Sequence, residues 1–432
     1  MNKSNHEDLQ DIISPDEIPF MHYGIINQYN YTKVTHVPIK RWDPLSYNPI
    51  ILNESGDNVT LDKQYGHYSY ISPIRGKRPK ERKNTKVRKI EDSNELNNFQ
   101  QLIDIFEPMV KGKHYISTDG KIYPAHTLII SEGNNPLDNP FSDQIKIYPN
   151  LKGLAFAMIN KFPAMVRVID QAIEPKIKKE LYQLDSHARI AEGICFLTVP
   201  KYYHETIEDM TTEELREFFK TTQTAIKFCI EESVKKDIKI IPIAPFFNVG
   251  REVGGSLRRV HMQVYMDLTQ DGHGSRLEST LKAFDYMNKT GECQLCQSKH
   301  GDGRRIILET DDWTVFATNS PIRNRHLRFA PKEHIEHIGQ LQEKQFNSLA
   351  KILRIIFMVL DDLNVPASRN VIINTKPFGY KSFFHLFGDI LPFEFVGGAE
   401  MADDMRVVRV SPNKFAKECQ SIIKQKKYEN IL

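Results

Sequence analysis

A chain of 432 residues, 40% hydrophobic and 26% charged, is long enough for two or three domains with a substantial core and has ordinary globular composition. A formal net charge of +3, with both signs mixed along the chain, gives no argument for nucleic acid as a partner. No apolar run approaches the roughly 20 residues of a membrane span, and the polar start MNKSNHEDLQ is not a secretory signal. Five cysteines with a single close pair argue against a disulfide framework and for a reducing, cytoplasmic setting.

Taken in order, residues 1–60 are rich in Asn, Asp, Pro and Tyr and show no sustained period. They read as an extended arm with aromatic anchors, with 1–13 expected to be mobile. A strand expected over 65–74 runs into Ser72-Pro-Ile-Arg-Gly-Lys-Arg-Pro79. Arg75 and Arg78 offer there the planar fork that binds phosphate oxygens in pairs. The basic run that follows, from Lys80 to Lys89, reads as a solvated charged loop. A short helix is expected over 95–106 and a Gly/Asn/Pro loop over 133–140, and 145–165 predicts a strand ending in Asn160-Lys-Phe-Pro163. Residues 193–200 predict a further strand, and Thr211-Thr-Glu-Glu214 has the form of a capping box opening a helix. Leu215, Phe218, Phe219, Ala225, Ile226, Cys229 and Ile230 follow at helical spacing. Cys229, and Cys195 by the same reasoning, are then small buried hydrophobes.

The stretch 246–268 is the most informative. Residues 259–268 alternate without a break, so a strand would set Arg259, His261, Gln263, Tyr265 and Asp267 on one face and Val260, Met262, Val264, Met266 and Leu268 on the other. Before it, Asn248-Val-Gly-Arg-Glu-Val-Gly-Gly-Ser256 is a glycine-bearing loop whose amides can approach a phosphate. An imidazole presented beside such a loop is what group transfer through a phospho-histidine requires.

These residues resemble the galactose-1-phosphate uridylyltransferase family, a branch of the histidine-triad superfamily. The resemblance runs from Tyr65 to the C-terminus. It rests on Asn248, Gly250, Gly254, Ser256, His261 and Gln263 at the family spacing, on the Ser-Pro-x-Arg-x-x-Arg-Pro element, and on Asn160-Lys-Phe-Pro163. It implies that His261 attacks the α-phosphorus of a nucleotide-sugar or dinucleoside polyphosphate. The resulting nucleotidyl-histidine, steadied by Gln263, is resolved by a sugar phosphate or by inorganic phosphate. Arg75, Arg78, Asn248 and the Gly254–Gly255–Ser256 backbone would hold the negative charge, and Asn160 and Phe162 would touch base or ribose. The 160–163 turn reads equally as a strand-to-turn junction with Phe162 in the core. Phe395-Val-Gly-Gly-Ala-Glu400 resembles the family's sugar-binding loop and points to Glu400. Three positions depart from the pattern: Arg259 replaces a histidine, Lys161 an aspartate and Ala399 a tyrosine. Members are commonly homodimers. Two further readings stay open, an ADP-sugar or dinucleoside-polyphosphate phosphorylase, and a catalytically silent nucleotide-binding protein.

The second half of the chain repeats the first. Phe196-Leu-Thr-Val-Pro-Lys201 has a counterpart in Leu327-Arg-Phe-Ala-Pro-Lys332, each followed by a long amphipathic helix. Asn248 precedes Arg259 by eleven residues and Asn374 precedes His385 by eleven, so that His261 matches Phe387 and Gln263 matches Asp389. The expected class is therefore α+β, with two tandem histidine-triad-like units, each an antiparallel sheet with a long helix. They would span 61–288 and 289–432 after the arm. In this register the second unit lacks the nucleophile but carries Cys293-Gln-Leu-Cys296, His334 and His385, a Cys2His2 set suited to structural, tetrahedral zinc. The resemblance implies the same ligand set, with His300 and His337 as rival ligands. In the first unit Arg259 and Tyr203 stand at the positions of the two histidines, and no metal is expected there. His204 reads as a loop histidine.

Overall fold

A computed structural model describes residues 31–42, 68–75 without 74, 154–168 without 161, and 172–432 without 256, 272, 297–302, 382, 399 and 401–405, together with short strand segments between 25 and 136. The expected helix over 95–106, the start 1–13, and Arg78, Lys161, Ser256, His300 and Ala399 lie outside the described residues.

In chain order the main elements are β1 (Ile39–Trp42), β2 (Tyr68–Ile71), β3 (Ile130–Ser131), β4 (Asn135–Pro136), β5 (Ala155–Ile159), α1 (Glu174–Leu184), β6 (Ala188–Ile190), β7 (Gly193–Pro200) and α2 (Thr212–Val234). They continue with β8 (Ile243–Val249), β9 (Met262–Asp267), α3 (Ser275–Thr290), β10 (Ile306–Glu309), β11 (Trp313–Ala317), β12 (Leu327–Pro331), α4 (Glu343–Asp362), β13 (Arg369–Asn374), β14 (Phe387–Pro392) and α5 (Pro412–Lys426). Eleven strands form one antiparallel sheet in the order β4-β3-β5-β7-β9-β8-β13-β14-β12-β11-β10. The repeat is visible in this order: β7-β9-β8 and β12-β14-β13 are the same three-strand arrangement, met edge to edge. The join is the β8–β13 ladder, with Phe246 opposite Ile372 and Asn248 opposite Asn370. Three further strands, β6-β1-β2, form a small separate sheet.

The two long helices cover one face of the large sheet. In α2 the Thr211 side chain accepts from the Glu214 amide and Glu214 returns the bond, so the capping box forms as its spacing predicts. All seven apolar residues named for that helix are buried, and α4 likewise buries Leu349, Ile352, Leu353, Ile356, Val359 and Leu360. At roughly 1.5–3 kcal/mol for each such side chain, these two stripes dominate the adhesion of helix to sheet. Val260, Met262, Val264, Met266 and Leu268 all join that core. The alternate residues of β9 therefore face the other side, where no long helix among the described residues lies over the β8–β13 join. On that open side α3 packs Leu281 and Phe284 against Ala330, Phe384 and Phe387, covering part of the second half. No helix among the described residues is long and apolar enough to cross a membrane.

Candidate active site and metal centre

His261 stands just before β9 on the open face and is 6% exposed. Its Nδ1 lies 2.8 Å from the Arg259 carbonyl oxygen. A carbonyl only accepts, so Nδ1 carries a proton, and in the neutral ring the lone pair is on Nε2. This contact orients the imidazole. Gln263, next on the same face, sits between Leu197 and Phe246 on the flanking strands. Continuing the β8–β9 register by one residue from Phe247 opposite Met262 puts Asn248 beside His261. The Asn248 Oδ1 accepts from Asn370 Nδ2 at 2.8 Å, a contact between the two halves.

The element that begins at Ser72 docks on the same region. Ser72 Oγ donates to the Pro163 carbonyl (2.8 Å) and Arg75 Nη1 to the Phe162 carbonyl (3.0 Å), while the Arg75 guanidinium lies 5.9 Å from the centre of the Tyr265 ring. Tyr265 is two residues from Gln263 on one face, so Arg75, Asn160 and Phe162 are assembled along the β9 polar edge. Asn160 Oδ1 accepts from the Phe162 amide at 2.9 Å and its own amide donates to Cys195. Asn160 therefore shapes the turn, and half-buried Phe162 packs toward Ile26, Val166 and Ile190, the junction reading of that segment.

The glycine loop needs its glycines. Gly250 and Gly254 adopt φ of +89° and +93°, and a Cβ on Gly255 would come within 2.5 Å of the Gly250 oxygen. Two of its amides turn inward. Gly254 N donates to Arg251 O and Gly255 N to Gly250 O, both at 3.0 Å, so the hydrogen-bonding capacity of these two amides is spent inside the loop. Glu400 bonds within its own loop. Its carboxylate accepts from the amides of Gly397 and Val407, which hold its pKa below the ordinary value, and these partners lie in its own loop rather than on β9.

Cys293, Cys296, His334 and His385 place one ligand atom each within 4.8 Å of one another. The Sγ to Nδ1 distances are 3.3 Å (Cys293–His385), 3.1 Å (Cys296–His334) and 3.4 Å (Cys296–His385). Bonds of ~2.3 Å to sulfur and ~2.0–2.1 Å to nitrogen around a tetrahedral zinc put such ligands about 3.5 Å apart, so the set fits the ion. His385 Nε2 donates to the Pro331 carbonyl at 3.0 Å, which turns the Nδ1 lone pair toward the thiols. His337 is elsewhere engaged, with Nδ1 accepting from the Gly339 amide at 2.8 Å.

Three features were not read from the sequence. His204 Nε2 bonds Glu214 Oε1 at 3.0 Å, tying the loop after β7 to the capping box. At the end of β9, Asp267 accepts from Lys40 (2.7 Å) and from the Tyr70 hydroxyl, so β1 and β2 are pinned to β9. Asp389 is fully buried and accepts from His326 Nε2 (2.9 Å) and Arg328 Nε (2.8 Å). Burial opposes its ionisation, but the Arg328 and His326 partners outweigh burial and hold the carboxyl well below the usual range. The alternation of β9 exposes Asp267 as a signal. Its partner Lys40 lies more than two hundred residues away, and nothing local announces it.

No protein-family model matches the sequence. An uncharacterised HIT-like protein from Chlamydia muridarum is 30% identical over 80 residues, 18% of this chain and 64% of that protein's length. Among solved structures, a uridylyltransferase superposes with a TM-score of 0.52 at 16% identity, covering 64% of this chain and 87% of its own. An ADP-glucose phosphorylase from Arabidopsis thaliana, solved with ADP-glucose, gives 0.52 at 21% identity over 63% and 83%. A galt-like protein from the same plant gives 0.52 at 21% over 63% and 84%. The chain thus has the α+β fold of the uridylyltransferases. The resemblance read from its motifs is matched by these neighbours at the level of architecture.

Proposed function

We propose that the protein is a nucleotidyltransferase that works through a covalent nucleotidyl-His261, moving a nucleoside monophosphate between a nucleotide-sugar and a sugar 1-phosphate. The observation that carries this reading is the imidazole oriented by the Arg259 carbonyl, on the same strand face as Gln263 and opposite Asn248 in the β8–β9 register. Nε2 attacks the α-phosphorus, the P–N bond forms, and the bond to the bridging oxygen breaks, the sugar phosphate leaving with the electron pair. An acceptor phosphate oxygen then attacks the same phosphorus and the P–N bond breaks. Arg75 and Arg78 would neutralise phosphate oxygens in this reading, and Ser256 would help to hold the oxyanion. In this reading 61–288 is the catalytic unit, and 289–432 is the unit braced by zinc on Cys293, Cys296, His334 and His385. The ion is structural, since all four positions are taken by side chains.

The full-length protein is incubated with UDP- and ADP-sugars and its intact mass recorded. A mass increase of one nucleoside monophosphate, absent in His261→Ala, is expected. The base that labels also separates a uridylyl from an adenylyl enzyme. Nucleotide binding with no adduct under any of these sugars would remove the transferase reading.

A further inference from the structure

We infer that Asn370, from the second half of the chain, is a positioning residue for the His261 site, acting through Asn248. This deepens the transferase reading and rests on it.

Asn370 Nδ2 donates to two oxygens, Asn248 Oδ1 at 2.8 Å and the Val253 carbonyl at 3.1 Å. The Val253 carbonyl can only accept, so the Asn370 amide has one possible orientation. That orientation in turn forces Asn248 to present its oxygen to Asn370 and its N–H groups away from it. The Asn248 Nδ2 then lies on the Gly254 side, 3.6 Å from where a Cβ on that glycine would stand. Without this contact the Asn248 amide is free to turn over, and the group facing a phosphate becomes a carbonyl oxygen that repels it. The neighbouring residue reinforces the clamp: Ser368 Oγ donates to Glu252, and a Cβ on Gly250 would meet Ser368 Oγ at 2.2 Å. Ser368, just before β13, and Asn370, within it, thus hold the glycine loop of the first half from outside it. The second half, which has Phe387 in place of a nucleophile, contributes to the chemistry by fixing the direction of one donor.

The test is a double-mutant cycle on the full-length protein. The rate of nucleotidyl-adduct formation and the affinity for the labelling nucleotide-sugar are measured for wild type, Asn248→Ala, Asn370→Ala and the double variant. Asn370→Ala is expected to slow adduct formation about 10²-fold, the range for loss of one preorganised donor, with affinity changed less than threefold. The double variant should be no slower than Asn248→Ala alone. Asn370→Asp keeps the shape but accepts only. It should be slower than Asn370→Ala, whereas a packing role would make it the faster of the two. Circular dichroism and melting curves identify any variant that is unfolded, in which case the remaining single variants decide the order. A wild-type rate in Asn370→Ala, or losses that multiply in the double variant, would overturn the assignment. No adduct in wild type would instead bring down the transferase reading itself.

Discussion

Arg259 and His385 stand at one register position of the duplicated strand, and each reaches the corresponding carbonyl of its own half. His385 Nε2 bonds Pro331 O at 3.0 Å, while an Arg259 Nη2 bonds both Pro200 O and Lys201 O at 2.6 Å. The 2% exposed guanidinium thus fills with a fixed positive charge the region that the thiols and histidines surround in the other half. Arg259→Met keeps most of the volume but removes the donor from the buried Pro200 carbonyl and from the half-buried Lys201 carbonyl, at about 1–3 kcal/mol for the buried one and less for the other. Urea unfolding should show a loss of about 2–4 kcal/mol, and a variant as stable as wild type would contradict this role. A second residue, Glu192, ties stability to pH. Burial first, then the nearby Glu174, raises its pKa from 4.5 to about 7. Between those values the folded chain holds a proton that the unfolded chain has released, so the contribution is complete below 4.5 and is lost as pH rises through 7. With the half-buried side chain discounted for solvent, the protein should be about 2 kcal/mol less stable at pH 8 than at pH 4.5 from this group alone. In Glu192→Gln that part of the slope should vanish from urea midpoints taken across the same range.

Among the elements, those with a local cause were legible and those with a distant one were not. The strand over 193–200 falls on its expected bounds, and the α2 start follows from the Thr211 capping box. The β9 alternation correctly divides core from open face because a pleated strand allows no other assignment. The Cys293, Cys296, His334 and His385 cluster was readable because the tandem register aligned His385 with Arg259. The inward turn of two loop amides was not legible because glycine spacing fixes where a chain can turn, while the Arg251 and Gly250 carbonyls that capture the Gly254 and Gly255 N–H groups depend on the turn itself. Thr211→Ala should cost about 1 kcal/mol, more than an uncoupled cap because Glu214 also holds His204. The candidate metal cluster joins the chain just after α3 to the segment before β14 and the loop after β12. Chelation, or Cys293→Ser, should therefore release about one zinc per chain by elemental analysis. It should also lower the unfolding midpoint by several kcal/mol equivalents. A zinc-free protein with an unchanged midpoint would rule out that bracing role.

For the molecule as a whole, the deciding feature is that the repeat is not two sheets side by side but one sheet continued through β8 and β13. The helical layer crosses the same seam, with Gln223 of α2 donating to the carbonyls of Ile338 and Leu341 at 2.8 Å each. Separating the halves would expose an unpaired ladder edge and strip the buried face of Phe247 and Val371, so neither half has a self-sufficient surface. A chain of this length commonly unfolds in steps, but this seam predicts coupled loss of both halves. The sequence supplies two reporters, since its two tryptophans fall one on each side. Trp42 lies in the small sheet against Arg189, whose strand leads into β7, and Trp313 lies in β11 with its indole N–H on the Gln345 carbonyl. In Trp42→Phe and Trp313→Phe, each retaining one reporter, urea fluorescence transitions are expected to coincide within about 0.3 kcal/mol, the usual tolerance for independent changes. Because Asn370 and Ser368 enter the His261 site across this seam, adduct formation should be lost in the same transition and not before it. Two separated midpoints, with activity following the Trp42 signal alone, would mean that the first half carries its chemistry without the second.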